Sequence, residues 1–90
     1  SRVIKVYAYS LTTTGVVSNN VRFTNGSSAG GGELWRIALQ APTAPGFAGA
    51  NLAVTPPGYI FAAAANTTIA LFLGEASLVH YSIAYFKESA

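Results

Sequence analysis

Ser77-Leu78-Val79-His80-Tyr81-Ser82-Ile83-Ala84-Tyr85-Phe86-Lys87 decides how this chain is read. Val79, Tyr81, Ile83 and Tyr85 fall on one alternating set of positions, and Leu78, His80, Ser82, Ala84 and Phe86 on the other. Successive side chains leave a β-strand on opposite faces, so a period of two in β-branched and aromatic residues reads as a strand. It is the longest and most aromatic strand that the sequence predicts.

Working back from it, Gly74-Glu75-Ala76 turns the chain out of a strand at Thr68 to Leu73, and Asn66-Thr67 separates that strand from one at Tyr59 to Ala65. The alanine run within Tyr59 to Ala65 favours a helix on propensity alone. Its neighbours Tyr59, Ile60 and Phe61 on one side and Thr67, Thr68 and Ile69 on the other favour strands. Pro56-Pro57-Gly58 reads as a turn after a short strand at Leu52 to Thr55. Ala41 to Asn51 holds Pro42, Pro45, Gly46 and Gly49 and reads as a surface loop or an arm. Glu33 to Gln40 puts Trp35, Ile37 and Leu39 on one face, which is expected to face the core. Asn25 to Gly32 is a long, flexible hairpin loop. Val16 to Thr24 sets Val17, Val21 and Phe23 against Ser18, Asn20 and Arg22. Thr12 to Gly15 reads as a turn after a first strand, Arg2 to Leu11. There Ile4, Val6 and Ala8 are expected on one face and Val3, Lys5, Tyr7 and Tyr9 on the other.

The total is seven strands in one domain spanning residues 1–90, with turn signals at the spacing expected of a sandwich or jelly roll. The predicted fold is an all-β sandwich, with a small β-barrel as the alternative.

Composition narrows the chemistry. The chain has no Cys and no Met, one His, five Lys or Arg, and three acidic residues, all of them Glu. Apolar residues make up 51% of it and charged residues 9%. A domain of this length hides only about 60–65% of the surface its unfolded chain exposes. Neither disulfides nor a metal is at hand as a staple, so oligomerisation is the remaining common means of burying more. A net charge of +2 offers little repulsion between copies. The cations Arg2, Lys5, Arg22, Arg36 and Lys87 are scattered, so the pI near 9.2 reflects scarce carboxylates and not a nucleic-acid footprint. Neither a signal-peptide pattern nor a transmembrane helix is evident: the longest apolar stretch, Tyr59 to Leu73, is interrupted and shorter than the roughly 20 residues a spanning helix needs.

His80, Glu33, Glu75 and Glu88 are the only conventional metal ligands, and their spacing fits no metal site. His80 lies mid-strand without a nucleophile elbow, and nothing in the sequence pairs two of the Glu. Gly30-Gly31-Gly32 precedes a strand and lacks the lysine of a phosphate-binding loop. The expectation is therefore a protein that is not an enzyme, with no catalytic residue, no metal and no cofactor. Asn25-Gly26-Ser27 and Asn66-Thr67-Thr68 match the N-glycosylation pattern, which carries meaning only in a secreted protein.

Richness in Ala, Gly, Thr and Ser, scarce charge, no Cys, and short strands with long arms resemble the small accessory proteins of tailed-phage virions, the capsid decoration or cement proteins. The loop Asn25 to Gly32 and the arm Ala41 to Asn51 are the local features of the resemblance. It implies a structural protein on the capsid surface that forms dimers or trimers and contacts a major capsid protein, without nucleic acid or membrane as a partner. The interface expected from the sequence comprises Lys5, Tyr7, Tyr9, Gly30, Gly31, Gly32, Pro45 and Phe47, because the first strand's second face and the two loops lack an evident role inside one core. The alternative function is a carbohydrate- or receptor-binding module, a fibre tip or small lectin, using its Tyr and Trp rings together with Asn19, Asn20, Asn51 and Asn66.

Overall fold

The first strand, β1 (Arg2–Thr13), organises one of two antiparallel sheets in a computed structural model that describes residues 2–13, 18–26, 32–40, 48–75 and 78–89. Along one edge β1 pairs with β7 (Val79–Ser89) from end to end. Along the other it pairs first with β5 (Phe61–Ala62), at Lys5 and Val6, and then with β4 (Ala48–Ala53), from Ala8 to Thr13. The second sheet has β2 (Asn19–Asn25) in the middle, flanked by β3 (Glu33–Leu39) and β6 (Ile69–Leu73). With seven strands in two stacked sheets and no helix among the described residues, the fold is a small β-sandwich and not a closed barrel. Its Cα extents of 46 × 30 × 14 Å are those of a thin slab.

The interior is one layer of side chains between the sheets. Val6, Tyr9 and Leu11 of β1 and Phe61 of β5 meet Val21 and Phe23 of β2 and Ile37 and Leu39 of β3. Phe23 sits at its centre, its ring 5.1 Å from that of Phe61 and 6.2 Å from that of Tyr9. Trp35 stacks on Phe61 at 6.0 Å, and its indole Nε1–H donates to the Tyr9 hydroxyl at 3.1 Å. The predicted core faces of β2 and β3 are those observed. Val17 lies outside the described residues.

β1 departs from its expected pattern. Opposite β7 the register passes from Val6 to Ala8, leaving Tyr7 as an extra residue, a β-bulge. One added residue exchanges the faces of everything beyond it. Val6 therefore points inward before the bulge, and Tyr9, Leu11 and Thr13 after it. Tyr9 is a core residue, only 8% exposed, and does not share a face with Lys5 and Tyr7. On the other edge the bulge lies where β5 gives way to β4. The Tyr7 carbonyl accepts from Val54 N–H at 2.8 Å, and the Val6 carbonyl from Ile60 N–H at 2.7 Å.

Other boundaries moved for identifiable reasons. Thr12 and Thr13 continue β1 and do not belong to a turn, so β1, with 12 residues, is longer than the 11-residue β7. The last four residues of the expected arm, from residue 48 to Asn51, belong to β4, which joins them to the strand expected at Leu52 to Thr55 and ends at Ala53, and residues 41–47 lie outside the described residues. Gly49 suits its place there, because a Cβ added to it would sit 2.8 Å from the Leu11 carbonyl oxygen, a backbone atom. Gly49→Ala is expected to cost about 1–3 kcal/mol, as crowding of a close-packed contact does, seen as a lower urea midpoint at unchanged slope. The strand expected over Tyr59 to Ala65 is reduced to Phe61 and Ala62, since the chain around it forms two turns. Gly58 N–H closes the first on the Thr55 carbonyl at 2.9 Å across a cis Pro56–Pro57 bond. Asn66, with φ 57°, shapes the second.

Candidate functional site

β7 brings the candidate site together. Its register sets Tyr85 opposite Val6, Ile83 opposite Tyr9, Tyr81 opposite Leu11 and Val79 opposite Thr13. Directly opposed residues share a face, so this whole row stands on the core side of its sheet. Val79 and Ile83 are half-buried against the core, as that position requires. Tyr81 and Tyr85, in the same row, are 63% and 54% exposed. The second sheet covers β1 but extends over β7 only in part.

The uncovered space is an apolar groove of about 500 Å³ between β7, β1 and β6, lined by Ile4, Val6, Thr68, Ile69, Tyr81, Ser82, Ile83 and Tyr85. None of these side chains is charged. Thr68 and Ile69, the first residue of β6, line its far side, and among the described residues the only strand neighbour of β6 is β2, so the other edge of β6 is unpaired. A floor of alternating rings and aliphatic side chains beside a bare strand edge has the two parts of a site for an extended peptide. Backbone hydrogen bonds supply affinity there, and pockets for alternate side chains supply selectivity.

The expected interface residues are dispersed by comparison. Lys5 and Tyr7 lie together on the outer face of the first sheet, where both are engaged. The Lys5 ammonium donates to Glu88 Oε1 at 3.0 Å and stands 4.8 Å from the Tyr59 ring centre, and Tyr7 packs on Phe86 at 6.1 Å. Tyr9 is in the core. Gly32 is exposed, and its carbonyl accepts from Asn25 N–H at 2.8 Å. Gly30, Gly31, Pro45 and Phe47 lie outside the described residues. The alternation of Val79, Tyr81, Ile83 and Tyr85 was visible in the sequence, but a period of two does not tell a covered face from an open one.

The amides considered as ligand contacts are partly committed to the fold. Asn19, only 2% exposed, accepts from Gly74 and Glu75 N–H through Oδ1 at 2.9 and 3.1 Å and donates to the Glu75 carbonyl at 3.2 Å. Asn66 Oδ1 accepts from Arg2 N–H at 3.1 Å, and Asn25, of the Asn25-Gly26-Ser27 pattern and not one of those four amides, accepts through Oδ1 from Ala64 N–H at 2.8 Å. Trp35 is turned inward. Arg36 is matched to Glu33 at 2.8 Å, and among the described residues no three His, Cys, Asp or Glu side chains gather. No helix among the described residues is long and apolar enough to cross a membrane.

The chain matches no protein-family model, no curated protein and no solved structure. A functional reading therefore rests on the groove and on the residues around it.

Proposed function

We propose that this chain is a non-enzymatic structural protein of a viral particle, an oligomeric decoration or cement protein that holds a capsid surface together by contact. The observation that carries the reading is the uncharged groove between β6 and β7, with Tyr81 and Tyr85 exposed on what is otherwise the core face. Its occupant is an extended, uncharged segment of a shell subunit that adds a strand to β6 and lays alternate side chains on Tyr81, Ile83 and Tyr85. A partner that binds only the assembled shell raises the cost of disassembling it by mass action. Many weak, repeated contacts suffice, which suits a chain with so few charged groups to order.

The exposed rings of Tyr59, Tyr81 and Tyr85 also suit a carbohydrate-binding module. That reading is the weaker one, because Asn19 and Asn66, two of the four amides proposed to fix sugar hydroxyls, are held by their own backbone. The purified chain mixed with intact shells is expected to co-sediment with them and to raise their melting temperature. The double variant Tyr81→Ser and Tyr85→Ser is expected to do neither while keeping its own unfolding midpoint. Failure to bind any shell, together with retention on a glycan array, would replace this reading with the carbohydrate one.

A further inference from the structure

We propose that β7 pairs with β7 of a second copy of this chain, antiparallel, about a twofold axis through Ala84. Among the described residues β7 has only β1 as a neighbour, so one whole edge of an 11-residue strand is bare. Edge strands are ordinarily guarded against pairing by proline, a bulge, central charges or shortness. Between Val79 and Phe86 this strand has no proline, glycine, lysine or carboxylate, and its one bulged ladder places the extra residue on β1. It is an edge left open along its length.

The sequence of β7 is complementary to itself in that register. An axis at Ala84 sets His80 opposite Glu88 and Tyr81 opposite Lys87 of the second copy, each twice. These are an imidazole beside a carboxylate and an ammonium beside an aromatic ring. Ile83 then meets Tyr85, Ser82 meets Phe86, and at the axis alanine meets alanine, which leaves room for the larger neighbours. Moving the axis to Ile83 sets Lys87 against Val79 and Glu88 against Leu78. Moving it to Tyr85 sets Lys87 against Ile83 and shortens the ladder. Of these three registers, only the axis at Ala84 uses all eleven residues and gives both end charges a suitable partner.

Such a pair makes one continuous sheet from β4 of one copy to β4 of the other. Because the axis is perpendicular to that sheet, both grooves open toward the same side. The pairing needs only a second copy, so it stands whether or not the shell reading does.

Light scattering across a concentration series, on the full chain, is expected to give a dimer. Ala84→Lys, which sets two ammonium groups against each other at the axis, is expected to raise the dissociation constant about tenfold or more. Its far-UV spectrum and unfolding midpoint report separately that the fold is kept. The chain has no cysteine, so Ala84→Cys provides a clean second test. Directly opposed Cα atoms about 4.5–5.5 Å apart lie within disulfide reach, and mild oxidation is expected to link the dimer covalently. A monomer at all concentrations, a dimer untouched by Ala84→Lys, or faster cross-linking through Ile83→Cys than through Ala84→Cys would overturn the proposal.

Discussion

Replacing Phe23 by alanine is expected to cost about 3–5 kcal/mol, the range for an aromatic residue removed from a packed core. The reason is its position. Phe23 is fully buried, its ring contacts those of Phe61 and Tyr9, and the slab has a single layer of side chains with which to fill a void. Domains carry roughly 0.05–0.15 kcal/mol of stability per residue, which for this length is about 5–13 kcal/mol in all. The variant is therefore expected to lose about a quarter or more of its stability, and at the low end to keep only about 0–2 kcal/mol, with up to about half the molecules unfolded at room temperature. Urea unfolding followed by Trp35 fluorescence would measure it, because the indole is stacked on Phe61 next to the altered site. Phe23→Leu fills part of the space and should lose less than half as much. A loss under about 1 kcal/mol for the alanine variant would mean that the sheets close over the gap, and that the core is not organised around this ring.

Asn19→Ala is expected to cost about 2–3 kcal/mol. The amide is buried, and it satisfies two backbone N–H groups and one carbonyl in the turn after β6. Gly74 N–H keeps a second acceptor, so the Glu75 N–H and carbonyl are the groups that lose this partner, and groups left unpaired carry a desolvation cost of about 1–3 kcal/mol. That turn also fixes the end of β6, since Gly74 N–H donates to the Asn20 carbonyl at 2.9 Å. Amide exchange along Ile69–Leu73 should accelerate more than exchange along β7, whose ladder with β1 is independent of Asn19. Asn19→Asp keeps the acceptor but puts a carboxylate against the Glu75 carbonyl, so it should rescue only part of the loss. Equal stability of all three proteins would assign the turn to the neighbouring backbone bonds alone.

Several elements could be read from the residues directly. Val21 and Phe23 in β2, and Trp35, Ile37 and Leu39 in β3, alternate with polar neighbours and face the core as that alternation requires. Pro56-Pro57-Gly58 and Asn66-Thr67 mark turns because of their backbone preferences, and turns are found there. The first four residues of β4 were illegible for an equally physical reason, whereas Leu52 and Ala53 fall in the strand expected at Leu52 to Thr55. Ala-Gly-Ala-Asn lacks the β-branched and aromatic residues that identify strands, and it is extended because β1 offers it a ladder and Gly49 lets it approach. The expected interface divided along the same line. Lys5 and Tyr7 were placed correctly on one face, whereas Tyr9 was not, because nothing in Lys-Val-Tyr-Ala-Tyr marks which residue is the extra one. The groove was hidden because Tyr81 and Tyr85 have the sequence pattern of covered residues, and how far β6 extends over them depends on packing between distant segments.

Tyr7 acts in β1 like a silent letter in a word. The ladder with β7 passes from Val6 to Ala8 without registering it, while the partner on the other edge changes at that point from β5 to β4. The strand thus contains two correctly spelled halves, one keeping its inner face on even numbers and the other on odd. Everywhere else along β1, the length of the chain and the direction of its side chains are locked together. At Tyr7 they are uncoupled, and this is the position where one continuous strand can serve two partners in succession without either having to adjust its own spelling.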